Sequence, residues 1–87
     1  MIDYKSLIEN ENVEDIVIFL IPAFSYQHVD RWFERYNFDV IANGLLLRTT
    51  EKLIREGKLS EDEKGHISRG PNWQAPQFVK DKKYGIE

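Results

Sequence analysis

The chain has 87 residues, a formal net charge of −3, 41% hydrophobic and 13% aromatic residues, and no cysteine. That length suits a single domain over 1–87, with its core expected at 12–69 and a tail at 70–87. Without cysteine there is no disulfide framework, no thiolate metal site and no cysteine nucleophile. The longest apolar run, Ile16 to Phe24, is nine residues long and contains Pro22, far short of a membrane span. The first ten residues, MIDYKSLIEN, are acidic and carry no signal-peptide core, so a cytoplasmic location is expected.

The charge is unevenly spread. Met1 to Leu47 holds eight acidic and three basic residues, whereas Arg48 to Glu87 holds seven acidic and nine basic ones. A generic nucleic-acid binder carries a clear basic excess, which this chain lacks. An acidic half complements a basic protein partner instead.

In chain order, Ile2, Tyr4, Leu7 and Ile8 predict a short helix from Asp3, broken at Asn10 to Asn12. Asn12 is a good N-cap, and Glu14 and Asp15 in the first turn favour a helix start. The following IVIFLI is apolar all round, and periodicity alone fits a buried helix or a buried strand. The cap favours a helix over Val13 to Ile21, with Pro22 helping to end it. Ser25 caps a third segment whose Tyr26, Val29, Trp32, Phe33 and Tyr36 make one aromatic helical face. His28 near its start has no second ligand at metal spacing. Asp39 is expected to cap a long helix with a core stripe of Ala42, Leu45, Leu46, Thr49 and Leu53, tolerating Gly44 inside it. Gly57 is expected to stop that helix in the left-handed conformation. Lys58 to Ser60 can then pair with His66 to Ser68 across Glu61 to Gly65, with Leu59 and Ile67 pointing inward. The tail carries two prolines and two glycines, which argue against helix over much of it, and Trp73, Phe78, Val79 and Tyr84 are spaced as anchors.

The expected fold is therefore mostly α with a small β-hairpin (α+β): three or four helices, a two-stranded wing and an extended C-terminal tail. This order, carried by LLLRTTEKLIREGKL and a hairpin ending in GHISRG, resembles the winged helix-turn-helix class. The resemblance implies a third helix in the major groove and a wing on the backbone. It would set Asn43, Arg48, Lys52 and Arg55 toward DNA and Lys58, Lys64 and Arg69 onto phosphates, as in a transcriptional regulator. Glu51 on the helix and Glu61, Asp62 and Glu63 at the wing tip set like charge against phosphate, which ranks this reading second.

The acidic, aromatic, cysteine-free character and the segment LLLRTTEKLIREGKLS also resemble immunity proteins of bacterial toxin systems. That resemblance implies a small inhibitor that binds and neutralises a cognate toxin domain, for instance a basic nuclease. Its expected contacts are Glu9, Glu11, Glu14, Asp15, Asp30 and Glu34, with Tyr26 and Trp73 as aromatic anchors. Catalytic signatures are missing: there is no phosphate loop with its Lys-Ser/Thr, no G-x-S-x-G and no metal-ligand pair. The sequence thus predicts a non-enzymatic protein-binding module of the immunity type, without cofactor or metal. A winged-helix DNA regulator is the alternative.

Overall fold

A computed structural model describes residues 1–86. It is mostly helical with one two-stranded antiparallel hairpin. The elements are α1 (Tyr4–Asn10), α2 (Val13–Ala23), α3 (Tyr26–Tyr36), α4 (Phe38–Ala42), α5 (Leu45–Arg55), β1 (Leu59–Glu61), β2 (Ile67–Arg69) and α6 (Gln77–Lys80). A 3₁₀ turn at Lys83–Gly85 follows. No described helix is long and apolar enough to cross a membrane.

The first three helices start where their caps dictate. Asp3 accepts from the Ser6 N–H, Asn12 from the Asp15 N–H at 2.8 Å, and Ser25 from the His28 N–H at 3.1 Å. Each bond satisfies one of the donors that a helix start leaves free. The bonds from the Ser6 N–H and hydroxyl hold the Asp3 carboxyl below its ordinary value. The ambiguous run after Asn12 is a helix. Ile16, Val17, Leu20 and Ile21 are fully buried, so α2 is the central rod of the core.

Pro22 does not end α2, which continues to Ala23. A proline in the last turn has no N–H to give the carbonyl four residues back, which here is that of Ile18. Trp73, from the segment after the hairpin, fills the gap: its indole Nε1–H donates to the Ile18 carbonyl at 2.9 Å. Arg69 lies over the same indole, its guanidinium carbon 3.9 Å from the ring centroid.

The expected long helix is two helices. Gly44 adopts φ +68° and ψ 16°, a left-handed turn between α4 and α5. Asp39 consequently sits inside the first turn of α4 and does not cap a long helix. The break also re-aims the stripe: Leu46, Thr49, Thr50 and Leu53 are buried, whereas Ala42, Leu45 and Leu47 are exposed. The buried Thr50 hydroxyl is satisfied by donating to the Leu46 carbonyl at 2.8 Å.

Gly57 ends α5 as expected. With φ +77°, it donates its N–H to the Ile54 carbonyl while the Lys58 N–H reaches the Leu53 carbonyl. That pair of bonds is the Schellman arrangement. The Asn72 side-chain amide then donates to the Glu56 carbonyl, sealing the helix end from outside. A Cβ at Gly70 would collide with the Gly57 carbonyl oxygen, so the chain passes there only as glycine.

In the hairpin, Leu59 faces Arg69, Ser60 faces Ser68 and Glu61 faces Ile67. This register is shifted by two residues from the expected pairing, because the loop lies one residue further along the chain, at 62–66 rather than 61–65. The Asp62 carboxylate accepts the N–H groups of Lys64 and His66, both at 2.9 Å, which confines the loop and draws Glu61 into the strand. A shift of two keeps every side chain on its own face, so Leu59 is still buried and Ile67 still packs on the core.

The tail turns at Pro71 and Asn72, where the Trp73 N–H donates to the Gly70 carbonyl, runs without regular structure from Trp73 to Pro76 and then enters α6. It packs on the domain. Phe78 is buried edge-on against Phe19, and Ile86 is buried as well. The core therefore draws on both ends of the chain, since Leu7 and Ile8 of α1 are also fully buried. The two ends are joined directly. The Asp3 N–H donates to the Tyr84 carbonyl, and the Tyr84 hydroxyl donates to Glu11. That bond, burial and the charges of Glu11 and Asp3 push the Tyr84 phenol up to about 12.

Candidate functional site

Helix α5 divides its surroundings in two. On one edge, Lys52 reaches across to Glu14 of α2, with Nζ 3.2 Å from the carboxylate. Lys58 approaches the same Glu14 at 3.7 Å and Glu56 at 3.5 Å. Beside this cluster lies a hollow of about 720 Å³, lined in part by Glu14, Asp15, Ile18, Lys58 and Trp73. Several of its polar groups are paired within the chain. Asp15 takes the Asn12 amide at 3.0 Å, Glu14 takes two lysines, and Trp73 is bonded to α2.

The other edge of α5 is different. Leu47, Thr50, Glu51 and Ile54 recur at helical spacing and face a groove of about 260 Å³. Its remaining walls are Tyr26 and Gln27 at the start of α3, and Glu61, Gly65 and Ile67 of the hairpin. A second hollow, with Phe24, Ser25, Lys64 and His66, shares Tyr26, Gln27, Gly65 and Ile67 with it. Together they form one trough between α3, α5 and the hairpin. Two large apolar residues on it stand in solvent: Leu47 is 53% exposed and Phe24 is 44% exposed.

Charge on the α5 side of the trough is of one sign. Glu51 and Glu61 are the charged residues lining the groove, and neither has an ion-pair partner among the described residues. Partial burial, then the charge of Asp30, then that of Glu51 push the Tyr26 phenol above its ordinary value. Tyr26 thus keeps its proton and presents a hydroxyl donor beside two carboxylates.

The residues expected to contact a partner do not converge. Tyr26 lines the groove and feels the charge of Asp30, while Glu14, Asp15 and Trp73 belong to the hollow on the other edge. Glu11 holds Tyr84, and Glu9 is exposed at the end of α1. Glu34 lines a third concavity with His28, Arg31, Trp32 and Arg35. There Trp32 is already stacked on Tyr4 at 4.6 Å and flanked edge-on by Phe24 and His28. Of the residues expected on DNA, Lys52 and Lys58 are engaged by Glu14, and Arg69 covers Trp73. Asn43, Arg48, Arg55 and Lys64 are exposed.

Sequence reasoning did not single out Leu47, Ile54 and Glu61 as one site. The available signal was the spacing of Leu47, Glu51 and Ile54, which marks one edge of a helix; only the fold sets the hairpin opposite it. Among the described residues no group of three His, Asp or Glu side chains could hold a metal ion. No family model, no curated protein and no solved structure matches this chain.

Proposed function

We propose that the chain is a non-enzymatic protein-binding module that holds a basic protein partner, in the manner of an immunity protein neutralising a cognate toxin domain. One observation carries this reading: the trough between α3, α5 and the hairpin. It has an apolar floor, exposed Leu47 and Phe24 at its sides, and beside Tyr26 two carboxylates, Glu51 and Glu61, without an ion pair among the described residues. Exposed apolar and aromatic side chains next to matched charge are the composition of an interaction surface. Carboxylates at its rim favour a cationic partner and speed the encounter.

A duplex-binding reading draws less support from the same face. If α5 and the hairpin met DNA as a recognition helix and wing, Glu51, Glu61 and the acidic turn would lie toward phosphate. Lys52 and Lys58 meanwhile spend their charge on Glu14.

The experiment is affinity capture from native lysate, with chemical cross-linking of what is captured. The expected result is a basic protein cross-linked near the hairpin, with salt-sensitive association. Expressing that partner alone should arrest growth, and co-expressing this chain should restore it. Recovery of nucleic acid without protein, or a captured partner that leaves growth untouched, overturns the toxin-neutralising reading.

A further inference from the structure

We infer that the groove takes a single arginine side chain from that basic partner. The aliphatic stem would lie on Leu47, Ile54 and Ile67, and the guanidinium between Glu51 and Glu61 beside the Tyr26 ring. This assignment rests on the protein-binding reading above and names the chemistry of the contact.

The groove against α5 is the smaller part of the trough, about 260 Å³, below the roughly 300–1,000 Å³ of pockets that enclose a small-molecule ligand. A single side chain is a fitting occupant of that part. The groove's composition sets the charge. An apolar floor beneath two carboxylates rejects a phosphate or carboxylate by like charge, and it offers a bare metal ion too few oxygen ligands. A long side chain with an apolar stem and a cationic head satisfies both parts of the surface.

The placement of the two carboxylates is the sharper argument. On the other edge of α5 the chain answers its own charges: Glu14 has Lys52 and Lys58, and Glu56 has Lys58. Glu51 and Glu61 flank the one apolar groove on α5 and receive no cation from the chain among the described residues. Arginine suits this place better than lysine. Its planar fork can bond two carboxylates at once, and it stacks on an aromatic face. The fold already holds one guanidinium in that way, Arg69 over Trp73.

The test uses the full chain and a short probe, acetyl-Leu-Arg-Leu-amide, with citrulline and lysine counterparts of equal length. Binding is followed by two-dimensional NMR. The arginine peptide is expected to shift the resonances of Tyr26, Leu47, Glu51, Ile54, Glu61 and Ile67. Replacing arginine by neutral citrulline, or Glu51 by Gln, should weaken it about ten-fold, the loss of one charge-assisted contact. Glu34→Gln, on another face, should leave it unchanged. A bound guanidinium beside Glu51 should also bring the Tyr26 phenol titration back down, read by its absorbance. Equal binding of the citrulline peptide, tighter binding of the lysine peptide, no binding of the arginine peptide, or shifts confined to the His28 to Arg35 edge each overturn the assignment. Glu51→Gln is an exposed change, and circular dichroism confirms that the variant is folded. If the captured partner binds the Glu51→Gln chain as tightly as the original, the arginine assignment falls while the protein-binding function stands. If no partner is captured, that function falls by itself.

Discussion

The two edges of α5 use the same residue types to opposite ends. On the α2 side, Glu14 meets Lys52 and Lys58, and the carbonyl released by Pro22 meets the Trp73 indole. On the hairpin side, Glu51 and Glu61 meet no cation among the described residues, and Leu47 stands in solvent beside Tyr26. One edge is closed, its polar groups answered within the chain; the other is open. A closed edge contributes stability, and substitutions there should be read in unfolding. An open edge contributes little stability, and substitutions there should be read in binding. A charge without a partner and a charge paired across the surface can look identical in sequence, so charge counts alone do not find a site.

The contrast can be broken first at the residue both edges share. Leu53 is fully buried between them, and Leu53→Ala should cost about 2–5 kcal/mol in urea unfolding. A cost below about 1 kcal/mol would mean that α5 is not seated as described.

Next comes the closed edge itself. Trp73→Phe leaves the Ile18 carbonyl without its donor and should cost about 1–3 kcal/mol. Pro22→Ala offers that carbonyl a backbone N–H instead. It should therefore be about 1 kcal/mol more favourable in the Trp73→Phe background than in the original chain. Additive effects would refute the proline–tryptophan coupling.

A smaller effect is expected at the clasp joining the two chain ends. The Tyr84 phenol is raised from 10.0 to about 12, chiefly by its bond to Glu11. The folded state therefore favours the protonated phenol. Its contribution is full below pH 10.0 and is lost as pH rises through about 12. The free energy of unfolding in urea should fall across that window, and Tyr84→Phe should lessen the fall. A fall of equal size in Tyr84→Phe would place its origin elsewhere.

The smallest stability effect belongs to the open edge. Leu47→Ala should change unfolding free energy by less than about 0.5 kcal/mol, because the side chain already stands in solvent. It should still weaken capture of a partner through the groove. A large loss of stability with unchanged capture would reverse the assignment of the two edges.

Much of the fold was legible because it depends on local chemistry. Asn12 and Ser25 cap α2 and α3 through bonds to residues three positions on. Gly57 ends α5 because only a residue free to take positive φ closes that turn without strain. Leu59 and Ile67 point inward in either hairpin register, since a two-residue slip preserves the face. Gly44 was misread because a glycine within an apolar periodic pattern looks the same whether it is tolerated in a helix or required for a turn. The backbone resolves it, with α4 and α5 meeting at a left-handed residue. The candidate site was less legible still. Tyr26 was singled out from composition, but the groove around it joins α3, α5 and the hairpin.

The sequence by itself determined a small, cysteine-free, acidic, mostly helical domain with a hairpin, through caps, stops and apolar spacing that act within a few residues. The tertiary structure alone decided which charges are answered. Ion pairing depends on distances of a few ångströms between side chains far apart in the chain. Glu14 finds Lys52 across 38 positions, and Trp73 finds Ile18 across 55. Glu51 and Glu61 find no such partner among the described residues. No local pattern carries that information, because the same carboxylate is silent or available according to what folding brings beside it.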